Sequence, residues 1–355
     1  MGPASAGYGV RAGGERRRVG SFPRLRYGRR RVLALTERLL ALQAQIAGAV
    51  RAAQARHQSA DLSRVARVAT DDTIFAIDVH AEEMLLRCCE EWGKHECVRL
   101  FAEGLATDGV VFGRGEPRWR VLVDPIDGTR PLMHDKRAAW SLAAVAPERG
   151  ADTRLSHIVA ATMTQLPPTW QSGHTTLWAS KGGGAHGQLV HPDGTTRALA
   201  VKPSSATSLR YGFVASCNFF LGAKELIARV EEAIFAQHLG VAEPWRAELY
   251  VDLYMSSGAQ VAELALGRDR FALDVRPLAH RKLGQTRALC SHPYDLCTAL
   301  IAQEAGCVIT SCDGTPLDAP MTTQGDVGWI GYANKELARA LEPIVRAVLR
   351  RELDI

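Results

Sequence analysis

Several features are missing from this 355-residue sequence, and each absence removes a class of protein. No apolar run approaches the roughly 20 residues that a helix needs to cross a bilayer. A chain without a membrane span, working in the cytoplasm, is therefore expected. The eight cysteines are Cys88, Cys89, Cys97, Cys217, Cys290, Cys297, Cys307 and Cys312, and none forms a Cys-x-x-Cys pair or other zinc spacing. They read as buried free thiols of a reducing compartment. Arg16-Arg17-Arg18 hints at a twin-arginine export signal, but no apolar segment follows, which excludes a signal peptide. Internal repeats are absent. A basic body is absent too. The formal charge is +5, yet residues 1–31 carry nine arginines against one acid, Glu15, which leaves the remainder at about −3. The high pI therefore belongs to the first 31 residues, and no specific nucleic-acid partner is expected. That Arg-rich segment has little to bury and is expected to be a disordered tail. An anionic surface, RNA or membrane, is the one partner it suggests.

What remains is an ordinary globular composition, with 46% hydrophobic and 23% charged residues. The length allows a sizeable core without staples. Leu35, Leu39, Leu42, Ile46 and Val50 recur at helical spacing and predict a helix from Val32 to about Arg56. A second helix is predicted from Asp78 to about Trp92. Strands are predicted over Trp119–Val123, Ala138–Ala146, Ile158–Met163 and Thr175–Ser180, with Gly182-Gly183-Gly184 and Pro192-Asp193-Gly194 turning around a further pairing. A strand over Gly212–Ser216 precedes a helix over about Ala223–Leu239. Then follow a helix over Gly258–Leu266, a strand over Phe271–Val275, a helix over Pro293–Ala305 and a strand over Cys307–Thr310. A last strand over Gly328–Tyr332 and a last helix over Lys335–Arg350 close the chain. Strands and helices in this mixed order predict stacked α/β layers.

One segment carries chemistry. Asp124-Pro125-Ile126-Asp127-Gly128-Thr129 directly follows the apolar strand Trp119–Val123. Pro125 lacks an N–H and should force the chain out of the ladder. Asp124 and Asp127, three residues apart around that turn, can point at one spot. Two like charges brought together repel, and a divalent cation removes the cost. Hard oxygen ligands suit Mg²⁺. The N–H groups of Gly128 and Thr129, at a helix start, suit a phosphate. The bland alternative is a turn capped by aspartates.

The hexapeptide resembles the signature of the inositol monophosphatase family, within the lithium-sensitive, Mg²⁺-dependent phosphatase superfamily. That superfamily also holds fructose-1,6-bisphosphatases and 3′(2′),5′-bisphosphate nucleotidases. Leu100-Phe101-Ala102-Glu103 is similar to the family's upstream Gly-Glu-Glu element. Ile77-Asp78-Val79-His80-Ala81-Glu82 is similar to its Thr-x-x-Asp-x-x-x-Glu element. Pro293-Tyr294-Asp295 with Ala299–Gly306 is similar to its downstream Trp-Asp…Glu-Ala-Gly signature, and Ser256-Ser257-Gly258 with Gly267-Arg268 to the stretch between. The resemblance runs over about residues 34–350. It implies a layered α-β-α-β-α sandwich, with an N-terminal α+β half over about 32–200 and a C-terminal α/β half over about 201–355.

The resemblance also implies roles. Glu103 and Asp124, with the Ile126 carbonyl, would hold a first Mg²⁺, and Asp124, Asp127 and Asp295 a second, giving two or three metals per site. The metals would clamp phosphate oxygens and activate a water. Glu103 and Thr129 would position that water, with Asp78 accepting the Thr129 hydroxyl hydrogen. Asp127, Gly128, Thr129, Ser256, Asp274 and Asp295 would contact a small phosphorylated polyol, sugar or nucleotide. His134 reads as structural. A homodimer is usual in the family.

Departures from the pattern bear on the substrate. Gly104 replaces the family's second glutamate. Thr129-Arg130-Pro131 replaces Thr-Asn-Phe, and Tyr294 replaces a tryptophan. The stretch from Asp274 to Asp295 is longer than usual and holds Arg276, His280, Arg281, Lys282 and Arg287. With Arg130, Lys136 and Arg137 these suggest a positive rim, or else a solvated basic loop. A rim would favour a bisphosphate substrate. The other alternative is a non-catalytic binding protein on the same fold, against which the retained carboxylates argue.

Overall fold

A computed structural model describes residues 28–56, 59–68, 73–240, 243, 245–286 and 288–354. The expectations for residues 1–27 and for Arg287 lie outside the described residues. The first helix, α1 (Arg29–Arg56), begins three residues before the predicted Val32, so Arg29, Arg30 and Arg31 belong to it rather than to a tail. The first turn is tied down: Arg31 pairs with Glu96, which also accepts the Trp119 indole N–H at 2.8 Å. The helical row Leu35, Leu39, Leu42, Ile46 and Val50 is buried as its spacing predicts. Helix α2 (Ser59–Leu62), strands β1 (Val65–Val68) and β2 (Thr73–Phe75), paired antiparallel, and helix α3 (Ala76–Gly93) follow.

The first sheet has eight strands: β3 (Val98–Ala102), β4 (Val110–Phe112), β5 (Trp119–Asp127), β6 (Ala139–Pro147), β7 (Ala160–Leu166), β8 (His174–Ser180), β9 (Ala185–Val190) and β10 (Thr196–Leu199). Their order is β10-β9-β8-β7-β6-β5-β3-β4. A short helix, α4 (Thr129–Met133), separates β5 from β6. The second sheet, ordered β12-β11-β13-β15-β14, is built from β11 (Phe213–Ser216), β12 (Tyr250–Asp252), β13 (Asp269–Asp274), β14 (Val308–Ser311) and β15 (Trp329–Tyr332). Between these lie α5 (Lys224–Leu239), α6 (Ser257–Ala265), α7 (Arg276–Lys282) and α8 (Ala299–Ala305), and α9 (Lys335–Leu353) ends the chain.

These elements stack in the five layers that the resemblance implies. Helices α1 and α3 cover one face of the eight-stranded sheet, and α6 and α8 cover the other. Helices α6 and α8 also pack on β13, β14 and β15, so they lie between the two sheets. Helices α5, α7 and α9 pack together on the far side. Because β5 and β6 have helices on both faces, every residue of both strands is buried. This is the continuous burial expected of strands with both faces covered. Gln43 of α1, fully buried, donates to the carbonyls of Ser141 and Thr162 at 2.7 and 2.9 Å and pins the helix to β6 and β7.

Two sequence expectations need correction here. The predicted helix at Pro293 is a run of turns through Thr298, and regular helix starts at Ala299. The basic stretch after Asp274 is not a solvated loop at its start. It forms α7, in which Arg276, Pro277, Ala279 and His280 are buried and Arg281 and Lys282 are exposed.

Candidate active site

The strand β5 does not stop at Asp124, as Pro125 led us to expect, but continues to Asp127 with a change of register. Asp124 faces Leu142 and Asp127 faces Trp140, so three steps on β5 oppose two on β6. One residue is extra, and the strand bulges where Pro125 has no N–H to give. Bulges re-aim side chains, and here the bulge turns both carboxylates to one side. The Ile126 N–H donates to Asp124 Oδ1 at 3.0 Å, which fixes the first of them.

Asp127 is held from across the cleft. The Ser256 hydroxyl donates to Asp127 Oδ2 at 2.9 Å, and the Gly258 N–H donates to the same oxygen at 2.6 Å. Ser256 is also the N-cap of α6, accepting the Ala259 N–H at 2.9 Å. The carboxylate thus sits at a helix N-terminus, where the dipole favours it. Ser256 lines the cleft, but its hydroxyl is spent on Asp127 and on the cap. Gly258 has no room for a side chain: a Cβ there would lie 2.5 Å from Leu142 Cδ2 and 2.9 Å from Asp127 Oδ2.

Asp295 comes from the turn after Pro293, where it accepts the His292 N–H at 2.5 Å. Carboxylate oxygens of Asp124, Asp127 and Asp295 all lie within 4.8 Å of one another, a group that can hold a metal ion. Glu103, immediately after β3, lines the same cleft and acts on Asp124 by charge, although it lies outside that three-carboxylate group. The adjoining Gly104 has φ +80°, a left-handed backbone that a glutamate adopts only with strain. The missing second glutamate therefore has a local backbone reason.

The electrostatics follow from this crowding. Burial and the charges of Glu103, Asp127 and Asp295 raise the Asp124 carboxyl well above its ordinary value. Burial and Asp295 push Asp127 up to about 8, against the lowering effect of the Gly258 and Ser256 hydrogen bonds. Buried like charges of this kind are uncompensated until a cation or protons neutralise them.

Thr129 opens α4. Its hydroxyl lies 2.9 Å from Asp78 Oδ1 and 2.8 Å from the Ile126 carbonyl. A hydroxyl has one hydrogen, and the charged carboxylate is the stronger acceptor. Asp78, two residues inside α3, uses its other oxygen to accept the Phe75 N–H at 2.8 Å. It caps α3 and orients Thr129 together. Gly128, Thr129 and Ile126 all line the cleft.

Asp274 is placed differently from what the resemblance implies. It is fully buried and does not line the cleft. Arg276 donates to it from Nε at 2.9 Å and Nη2 at 2.6 Å, and the Ser291 hydroxyl donates at 2.8 Å. Arg276, not Asp274, reaches the cleft wall. Of the proposed positive rim, Arg130 and Arg276 line the cleft among the described residues, while Arg137 forms a two-pronged pair with Asp252 at 2.8 and 2.5 Å. His134 is exposed and does not line the cleft. The residues that motif reading missed are Phe219 and Phe220, Met255, and the stretch from Leu289 to His292. The pertinent signal was positional. Loops at the carboxyl ends of parallel strands form the crevice of an open α/β sheet, and Phe219 and Phe220 follow such an end.

No protein-family model matches the chain, and no curated protein matches its sequence. Solved structures do match. A fructose-1,6-bisphosphatase from Leishmania major superposes with a TM-score of 0.67 at 13% identity, over 90% of this chain and 95% of that one. The extragenic suppressor protein SuhB from Bartonella henselae gives 0.61 at 16% identity, over 88% and 98%. An IMPase from Thermotoga maritima gives 0.57 at 17% identity, over 90% and 99%. At these identities the likeness speaks to architecture. The chain has the fold of these solved structures.

Proposed function

We propose that the chain is a Mg²⁺-dependent phosphomonoesterase acting on a small phosphorylated metabolite. The observation that carries this reading is the convergence of buried Asp124 and Asp127 and half-buried Asp295 within 4.8 Å at the floor of one cleft. The donors fit a hard divalent cation, because all are oxygens and their mutual repulsion needs positive charge nearby. We assign Glu103, Asp124, Asp127, Asp295 and the Ile126 carbonyl to metal binding. A bound cation would supply charge neutralisation for phosphoryl oxygens and acidify a water.

The remaining residues have work of their own. Thr129 gives its hydrogen to Asp78, so its oxygen is free to accept one from the attacking water. Glu103 takes the second hydrogen of that water. The Gly128 and Thr129 N–H groups, at the cleft lining, would be available to phosphate oxygens. Ser256 and Gly258 keep Asp127 oriented. Positioning and preorganised charge carry catalysis of this type, with no covalent intermediate.

The bisphosphate alternative loses part of its basis. Arg276 is bonded to Asp274, Arg281 is exposed on α7, and Lys282 pairs with Asp354 at the end of α9. A non-catalytic role is disfavoured because the carboxylate cluster without a cation would only destabilise the fold. The test is phosphate release from inositol 1-phosphate, fructose 1,6-bisphosphate and adenosine 3′,5′-bisphosphate, with Mg²⁺ and with a chelator. Release from at least one ester that stops with chelator is expected. No release from any phosphorylated metabolite with Mg²⁺ would overturn the reading.

A further inference from the structure

The wall above the carboxylates has a chemistry of its own. Strands β11, β12 and β13 run parallel in the order β12-β11-β13, with α5 leaving β11 toward the far layer and α6 leaving β12 toward the layer between the sheets. Their carboxyl ends open at one place, the switch point where such sheets hold ligands. Phe219 and Phe220 follow β11, Met255 follows β12, and Arg276 follows β13. All four line the cleft that contains Asp124, Asp127 and Asp295.

The two phenylalanines are half-buried rather than packed into the core. Their rings meet edge to face, with centroids 4.8 Å apart at 83°. Two guanidinium groups lie near Phe220, Arg130 at 5.5 Å and Arg276 at 5.8 Å from its centroid, and Arg276 also lies 5.0 Å from that of Phe219. Arg276 is itself fixed by Asp274, and Arg130 also stacks on Phe75 at 5.7 Å. The rings are therefore oriented by fixed neighbours, not free to turn away. Half-buried Leu289 and Met255 extend the apolar surface. A polyol leaving group would need hydrogen-bonding partners where these side chains stand, because polar groups removed from water without partners are penalised.

Building on the phosphatase reading above, we infer that Phe219 and Phe220 select a phosphomonoester whose alcohol carries a planar aromatic or heteroaromatic ring. The phosphate would lie on the carboxylate floor and the ring against the Phe219–Phe220 wall. Stacking on an aromatic side chain tolerates many ring types, so the class is defined by planarity rather than by a hydrogen-bond pattern.

The test uses the full chain with Mg²⁺ and three esters of primary or secondary alcohols: benzyl phosphate, cyclohexylmethyl phosphate and inositol 1-phosphate. Benzyl and cyclohexylmethyl phosphate match in bulk and differ in planarity. Each ester is measured for kcat/KM and, independently, for its equilibrium Kd by calorimetry. Benzyl phosphate is expected to exceed cyclohexylmethyl phosphate by about fivefold or more in both, in line with the worth of a stacked ring. Phe220→Leu should collapse that ratio toward one, and Phe220→Trp should keep it. A ratio near one in the unaltered chain, or a ratio unchanged in both Phe220→Leu and Phe219→Leu, would overturn the inference. If inositol 1-phosphate is hydrolysed as well as benzyl phosphate, the phosphatase reading stands and this one fails. If no ester is hydrolysed, the phosphatase reading fails and the Kd ratio alone judges the aromatic wall.

Discussion

Asp78 divides one carboxylate between two donors, the Phe75 N–H and the Thr129 hydroxyl, at 2.8 and 2.9 Å. The cap holds α3 in place, and the second bond aims Thr129. Thr129→Ala is therefore expected to lower kcat by about 10- to 100-fold, the scale of a misplaced reacting group, with a smaller change in KM. Thr129→Ser should recover most of the loss, and equal activity in the alanine variant would remove Thr129 from the account. The charge state of the cluster makes a second prediction. Asp127 is raised to about 8 and Asp124 is also raised well above its ordinary value, so the cation-free fold holds protons there that the unfolded chain releases. Stability from this source is fully present below about pH 4, the unfolded carboxylate range, and is lost as pH rises through about 8. The melting temperature of cation-free protein should fall between pH 6 and pH 9. Mg²⁺ should restore it, with the larger gain at pH 9, and a gain that shrinks as pH rises would contradict the assignment. At this scale the sequence was informative where the chemistry is local. Two acids, a proline and a glycine in six residues announce a turn that brings both carboxylates together. Asp274 could not be read the same way, because only its burial beside Arg276 decides that it faces inward.

The bulged end of β5 and the start of α6 together hold Asp127 in the carboxylate floor. They are far apart in sequence and meet at Asp127 Oδ2, which accepts from Gly258 N–H and Ser256 Oγ. The contact works only because residue 258 has no side chain. Gly258→Ala would drive a methyl into Leu142 and Asp127. It should destabilise the fold by about 1–3 kcal/mol, the usual cost of overpacking. It should also raise the Mg²⁺ concentration needed for half-maximal activity, read in a metal titration, whereas unchanged metal dependence would argue against this helix start as the support of Asp127. The periodic elements were legible from sequence: α1, α3, β5 to β8, α5 and α9 fall within a few residues of their predicted spans. Of the elements that were not predicted, β3 is a five-residue strand inside the sheet, and others are short or carry a misleading charge pattern. Strands β4 and β12 have three residues each, too few for alternation to register, and α7 carries cations that disguised a helix with a buried face.

The whole molecule places its chemistry at a junction. The eight-stranded sheet supplies Glu103, Asp124 and Asp127, and the C-terminal half supplies Ser256, Gly258, Asp295 and the aromatic wall. One strap across this junction is visible away from the carboxylate floor. Arg137, just beyond α4, pairs with Asp252 at the end of β12, and its guanidinium lies 3.7 Å over the Tyr254 ring. Tyr254 in turn donates to the Ala138 carbonyl at 2.9 Å. Both charged partners are partly exposed, so Arg137→Ala should cost only about 0–1 kcal/mol of stability through the ion pair. Its larger effect should be on the metal titration, because Asp252 leads directly into the segment that presents Ser256. A variant with lowered stability and an unaltered metal titration would make the strap purely structural. The layered fold was legible because alternating helix and strand signals survive across the chain. The aromatic wall was not, since it depends on which parallel strands lie side by side. If the carboxylate floor is a metal-dependent phosphatase centre, Asp124 is the residue whose loss should abolish it. Phosphate release should be measured for the unaltered chain and for Asp124→Asn under saturating Mg²⁺, with folding of both checked by circular dichroism. Mg²⁺-dependent release is expected from the first and a loss of about 10³-fold in the second, comparable to removing a principal electrostatic group. A folded Asp124→Asn variant with full activity would contradict this reading.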